Sequence, residues 1–402
     1  MPPAAHPRIC CLDLDTFFVS VERVLNPHLQ DKPVIVGGRP GQRGVVTAAS
    51  YEVRALGVRS GMSLTEAARR APQAIFLPTR HDVYLDFSQR VRRITERVSP
   101  VVQTASIDEQ FIDFSGCESM YRKPGDANDD ATIERVVREL TQSIAREVGL
   151  PASAGIATSK MMAKVASGLA KPAGVLLVPA GSERMVLAPL AVRRLPGIGP
   201  VAEARLKALK ILTLGEVAEA PIATLARVFG AAAESVSRAA RGIASGELGR
   251  ERPTFQEHDP QGHDVGTISN ERTFSSDVGD TDRIESMLCS LCERVAWRAR
   301  RRGVKARTVT LKLRYSDFDT LTRSRTLSPT NSELELYPVV RELYVRAKKR
   351  PSAIRLLGVS LSKLGAFDDQ LELFQEREGL HRAVDSIRAR FGYDALRLAR
   401  AT

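Results

Sequence analysis

The chain has 402 residues, 43% hydrophobic and 26% charged, a globular balance in a chain too long for one ordinary core. Its 59 Lys and Arg against 47 Asp and Glu give a net charge of +12, which points to a polyanionic partner. With no run of about 18 apolar residues, no apolar leader and five scattered cysteines, the composition argues against membrane spanning, export and a disulfide framework, and the expectation is a cytoplasmic protein.

Ile9 to Asp15 reads as a strand bounded by Pro7, and a period of two puts Ile9, Cys11, Asp13 and Asp15 on one face. The residues after it, to about position 79, are short apolar runs broken by turns such as Gly37-Gly38-Arg39-Pro40-Gly41, and read as a small mixed α/β insertion. Longer elements then return: a strand carrying Ser106-Ile107-Asp108-Glu109, and a helix with Ile133, Val136, Val137, Leu140, Ile144 and Val148 at helical spacing. On a flat strand Asp108 and Glu109 point to opposite faces, so both reach one point only where the strand bends.

Leu195-Pro196-Gly197-Ile198-Gly199-Pro200 opens an all-helical unit running to about Arg241, and Ala244 to His263, rich in Gly, Pro and charge, reads as a linker. Met287, Leu288, Leu291 and Val295 place Cys289 and Cys292 on an apolar helical stripe, against a metal role for that pair. In the strand Thr308 to Arg314, Val309, Leu311 and Leu313 face a core while Lys312 and Arg314 face out. The last segment, from Ala366, combines an exposed tail with one amphipathic helix whose stripe is Leu380, Val384, Ile387 and Phe391.

Asp13-Leu14-Asp15-Thr16-Phe17-Phe18, with Ser106-Ile107-Asp108-Glu109 far downstream, resembles the two signature motifs of the Y-family translesion DNA polymerases, closest to the bacterial DNA polymerase IV branch. The residue types suit that chemistry, because attack of a primer 3′ hydroxyl on an α-phosphate uses two hard cations about 4 Å apart, and hard cations prefer carboxylate oxygens. The resemblance implies Asp13 and Asp108 as ligands shared by two Mg²⁺ ions (Mn²⁺ being the alternative), Glu109 on the primer side, a backbone carbonyl from Leu14, and Asp15 behind them. It implies Phe17 and Phe18 as substrate contacts, Phe18 as a steric gate against a ribose 2′ hydroxyl, making dNTP the substrate.

Gly44 to Arg54 resembles the family's finger motif, in which Tyr51 and Arg54 grip the triphosphate, Arg by its planar fork. In a third motif, Ala154 to Gly174, Lys171 matches the lysine that reaches the β and γ phosphates, while Lys160 and Lys164, four apart on one helical face, serve structure or the DNA backbone. Ala48, Gln110, Ala173 and Gly266 depart from the family pattern. Gly197 and Gly199 resemble a helix-hairpin-helix that lets backbone N–H groups approach a phosphate. Lys312, Arg314, Arg323 and Arg325 match a domain that lays a sheet across primer-template DNA, and Gln370, Leu371, Leu373 and Phe374 match a peptide that docks on the sliding clamp.

The implied fold is α+β and multi-domain, a right-hand polymerase: palm (1–16 and 80–178), small fingers (17–79), all-α helix-hairpin-helix thumb (179–243), linker (244–263), α/β little finger (264–365) and tail (366–402), working as a monomer. The implied activity is template-directed DNA synthesis of low fidelity across damage. Two alternatives are a non-catalytic polymerase-like scaffold at the replication fork, which would have no need of the three acids, and a two-metal nuclease or cyclase with a palm-like fold, which would have no need of Phe18 or the clamp peptide.

Overall fold

The computed structural model describes residues 6–244, 266–366 and 376–398, and the chain divides into two compact units, Met1–Glu251 and Arg252–Thr402. The expected linker, Ala244 apart, and the peptide Gln370 to Phe374 lie outside the described residues.

In chain order the first unit carries β1 (Ile9–Leu14), β2 (Val34–Val36), β3 (Ala48–Ala49), β4 (Ile75–Leu77), β5 (Val102–Thr104), β6 (Glu109–Asp113), β7 (Ala152–Ala157) and β8 (Val175–Leu177). One sheet runs β5-β6-β1-β7-β8, antiparallel except between β7 and β8, and a second runs β3-β2-β4. β1 is central, and it is apolar on both faces because both are covered. Cys10, Leu12 and Leu14 share a core with the helices His81–Thr95 and Asp129–Val148, while Ile9 and Cys11 share another with the helix Lys160–Ala170.

β1 stops at Leu14, one residue short of the expected strand. Thr16 adopts the left-handed region at φ +45° and turns the chain into the helix Phe17–Leu25, so Asp15 sits in the turn instead of on the strand face. The helix expected over Ile133 to Val148 is present: Asn128 caps it by accepting from Ala131 N at 2.9 Å, two aspartates complement its dipole, and Gly149 ends it at φ +76°. In β7, Gly155 pairs with Cys11, and a Cβ there would lie 2.1 Å from Ser167 N. Glycine is what allows the helix Lys160–Ala170 to press against the strands that carry the acids. Five short helices, from Glu183–Leu187 to Ala233–Ala240, make the helical unit expected up to Arg241.

The second unit carries β9 (Thr267–Val278), β10 (Lys305–Tyr315), β11 (Thr320–Thr330) and β12 (Ile354–Gly365) in one antiparallel sheet ordered β11-β10-β12-β9. The helices Thr281–Arg301 and Glu333–Ala347 cover one face, meeting Val309, Leu311 and Leu313 as the alternation predicts, and Cys289 and Cys292 are buried free thiols in the first of them. The other face carries mostly serine and threonine, with Lys312 and Arg314 among them. No helix among the described residues is long and apolar enough to cross a membrane.

The final helix, Glu376–Phe391, corrects the amphipathic reading. Leu380, Ile387 and Phe391 of the expected stripe are exposed, whereas Arg388 is fully buried and paired with buried Glu293. Arg300 donates to Asp385 at 2.7 and 3.0 Å and to Glu333 at 2.5 Å, and Trp297 packs on Tyr393 with ring centroids 4.9 Å apart. The helix docks by charge because its neighbour buries carboxylates, and a carboxylate removed from water needs a cationic partner. Arg388→Met is expected to destabilise this unit by about 3–5 kcal/mol, and adding Glu293→Leu to recover part of the loss. The single tryptophan, Trp297, reports the unfolding midpoint by fluorescence; an unchanged midpoint in Arg388→Met would refute the buried-pair account.

Candidate active site

The sheet brings the three expected acids together. In the β1–β6 register Asp13 lies directly opposite Glu109, and Leu14 N donates to Asp108 O at 2.9 Å. The bend required for Asp108 and Glu109 to act together is present. β6 starts only at Glu109, and Asp108 belongs to the turn after β5, closed by Ala105 N and Ser106 N donating to Glu109 O at 2.9 and 3.1 Å. The strand expected to carry 106–109 is therefore a turn up to 108.

Like charges opposite one another need compensation, and two lysines supply it. Lys171 Nζ donates to Asp13 Oδ1 at 2.5 Å and lies 3.6 Å from Asp15 Oδ1, and Lys164 donates to Glu109, which is 9% exposed. Burial pushes the Asp13 carboxyl above its usual range, Lys171 pulls it back, and the charges of Asp108 and Glu109 push it up again.

Asp15, 1% exposed, is the junction of the site. Its Oδ2 accepts from Ser153 Oγ and from Ala173 N, both at 2.7 Å, its Oδ1 from the Tyr51 hydroxyl at 3.4 Å, and its carbonyl from Ser20 Oγ at 2.6 Å. One carboxylate thus joins the β1 turn, the finger motif and the loop of Lys171. Burial, with Asp15 adding, pushes the Tyr51 hydroxyl up to about 12, so it remains a donor at neutral pH. Arg54 lies 5.4 Å from the Tyr51 ring centroid and donates to Ala49 O at 2.9 Å.

Phe17 and Phe18 part company. Phe17 is core, 3% exposed, which removes its side chain from the expected substrate contacts; Phe18 is half-buried and stacks on Tyr84 at 4.2 Å with 16° between the rings. Tyr84 is fixed in turn by donating to Glu22 Oε1 at 2.6 Å. Gln110 turns to the face opposite Glu109, where its Oε1 accepts from Thr95 Oγ1 at 2.7 Å, and Ala48 is buried in β3. Lys160 sits 5.6 Å from the Phe111 ring centroid.

Gly197 has φ +96° and Gly199 precedes the helix Pro200–Ala208 as its N-cap, both open to approach. The four expected DNA-contacting cations do not form one patch. Lys312, paired with Glu271 at 2.9 Å, and Arg314 lie on the serine- and threonine-rich face, whereas Arg323 and Arg325 are in register with Leu311 and Val309 and so lie on the helix side, where Arg325 pairs with Glu342. Alternation counted along one strand does not tell which face its neighbour matches.

Among the described residues no three of His, Cys, Asp and Glu stand close enough to hold a metal ion as placed. The donor set nevertheless fits a hard divalent ion: it is all carboxylate oxygen, and Asp13 and Glu109 each already hold a cationic group. Lys164, Ser153 and the junction role of Asp15 were not legible in the sequence. Helical spacing gave Lys164 a face without saying that the face meets Glu109, and nothing local marks Ser153 as the β7 partner of Asp13.

The sequence profile of the impB/mucB/samB family matches residues 12–168, and that of the impB/mucB/samB family C-terminal domain matches residues 266–373. DNA polymerase IV of Dehalococcoides mccartyi (strain CBDB1) is 38% identical over 399 residues, 98% of this chain and 97% of that protein. DNA polymerase IV of Caulobacter vibrioides is 36% identical over 98% of this chain and 94% of that protein. Among solved structures, a Y-family DNA polymerase chimera, Dbh-Dpo4(243-245)-Dbh, superposes with a TM-score of 0.75 at 26% identity over 89% of this chain and 98% of that chain. An insertion ternary complex of Dbh DNA polymerase gives a TM-score of 0.59 at 25% identity over 90% of this chain and 100% of that chain.

Ala173, which donates to Asp15, holds φ +50°, a region that costs a residue with a Cβ energy and that glycine enters freely. Ala173→Gly is expected to stabilise the first unit by about 1 kcal/mol in urea unfolding followed by circular dichroism; a destabilisation of that size would show that the turn is not strained.

Proposed function

The chain belongs to the impB/mucB/samB family, the Y-family DNA polymerases, and is a DNA-directed DNA polymerase of the translesion class with their right-hand α+β fold; from this premise we propose that Asp13, Asp108 and Glu109 form its catalytic centre. Activity in this family depends on divalent metal. In the proposal two Mg²⁺ or Mn²⁺ ions are held by Asp13 and Asp108, by Glu109 on the primer side and by the Leu14 carbonyl. Bound there, such ions lower the pKa of the primer 3′ hydroxyl and neutralise charge on the α-phosphate. The observation that carries the reading is the β1–β6 register, which sets Asp13 against Glu109 with Asp108 in the adjoining turn.

The protein's own groups do the rest. Asp15 holds Tyr51 and the Lys171 loop at fixed positions, so the triphosphate meets a cradle assembled beforehand, with Arg54 offering a planar fork and Lys171 a point charge. Phe18, braced by Tyr84, packs against the sugar and leaves no room for a 2′ hydroxyl. Gly197 and Gly199 approach the DNA backbone, and Lys312 and Arg314 grip it from the open sheet face, with Arg323 and Arg325 assigned a further stretch of it. The sheet of β1 and the helix Lys160–Ala170 are assigned to a palm over 1–16 and 80–178, the three-stranded sheet to fingers over 17–79, the helical unit to a thumb over 179–243, and β9 to β12 to a little finger over 264–365. The protein works as a cytoplasmic monomer, docked on the sliding clamp through Gln370 to Phe374.

Two substitutions test this. Asp108→Ala is expected to lower primer extension with Mg²⁺ by at least about 10²–10³-fold, the scale of losing one preorganised electrostatic group; extension at the original rate would remove Asp108 from the centre. Phe18→Ala is expected to raise NTP incorporation relative to dNTP by roughly 10- to 100-fold, matching the few kcal/mol that overpacking costs. Unchanged sugar selection would refute the gate.

A further inference from the structure

The proposed reaction leaves one ion pair unused. Lys164 stands on the helix Lys160–Ala170, started by Ser159 accepting from Met162 N at 3.3 Å and pressed against β7 at Gly155. Its ammonium reaches across Cys11 and β1 to Glu109 at the start of β6, with side-chain exposures of 42% for the lysine and 11% for the glutamate. Among the described residues it is the only group that the Glu109 carboxylate holds in a hydrogen bond. Lys171 has a second task in the proposed cradle, but Lys164 has none there, and it is bound to Oε2 of the carboxylate assigned to the primer-side ion.

The pairing of the acids calls for such a group. Glu109 is buried directly opposite Asp13, and two carboxylates so placed repel each other unless a cation intervenes. A lysine is suited to the task because its ammonium is a compact charge on a flexible stem, able to hold a carboxylate and to withdraw along a path toward solvent. The helix around it is fixed and the head group is half-exposed, so withdrawal demands a change of side-chain rotamer and no change of fold.

We propose that Lys164 is a positioning residue whose ammonium occupies the divalent-ion position on Glu109 in the metal-free protein, making primer-side ion binding an exchange of ammonium for metal. The proposal rests on the carboxylate assignment above. Lys164 then keeps Glu109 aligned with Asp13 while the site is empty, and its hold on Glu109 lowers the affinity of the site for the ion.

The test is Mn²⁺ binding to the full chain, without DNA or nucleotide, followed by electron paramagnetic resonance of the free ion. Lys164→Met is expected to tighten the Glu109-dependent site by about three- to tenfold. Lys164→Gln, which keeps a donor without the charge, is expected to give a smaller gain, and Lys164→Arg to stay within about twofold of the original protein. Lys160→Met removes a neighbouring charge one turn away and is expected to change nothing. In a Glu109→Gln background the effect of Lys164→Met is expected to vanish. Unchanged or weaker binding in both Lys164→Met and Lys164→Gln would overturn the exchange, as would an equal gain in the Glu109→Gln background or from Lys160→Met. If instead Glu109→Gln and Asp108→Ala bind Mn²⁺ as the original protein does, the carboxylate assignment itself falls, and the exchange with it.

Discussion

Two carboxylates, Asp13 on β1 and Glu109 on β6, are held opposite each other in a sheet whose next pair on that face, Cys11 and Phe111, is buried core. Unaided, that arrangement is unfavourable, and much of the first unit serves to make it tolerable. The helix Lys160–Ala170 comes close enough to reach the acids only because Gly155 has no side chain, and the loop after it returns Lys171 to Asp13. A site that concentrates negative charge in this way is stable when cations occupy it, whether ammonium or metal, and this common demand links the lysine pairs to the metal chemistry proposed for the site.

Asp15 carries the second constraint. A fully buried carboxylate with three side-chain or backbone donors around its oxygens cannot move without leaving several groups unpaired. Because those donors come from β7, from the finger motif and from the turn after Lys171, one carboxylate sets the relative positions of all three. The left-handed Thr16 and Ala173 on either side are the local backbone strain that this convergence requires.

The second unit uses burial of charge differently. Glu293 and Glu333 on its two core helices draw in Arg388 and Arg300, and the arginine pairs hold the last helix in place while that helix leaves its large apolar side chains exposed. The other side of the sheet, on which no described helix of this unit packs, carries hydroxyl groups and a few cations, residue types suited to contacting a sugar-phosphate backbone without reading sequence.

The sequence by itself determined the candidates: the three acids, the aromatic pair, the finger motif, the lysine and the glycine hairpin are local patterns whose residue types suit phosphate, metal and sugar. It also determined the long helices and the β10 strand, since periodicity depends only on neighbours along the chain. Only the tertiary structure decided which of these patterns meet. The pairing of Asp13 with Glu109 and Ser153, the reach of Lys164, the withdrawal of Phe17 into the core and the placing of Arg323 and Arg325 on the helix side are all matters of register between distant strands and helices. Register is set by the fit of whole faces, and a local pattern carries no record of the face it will meet.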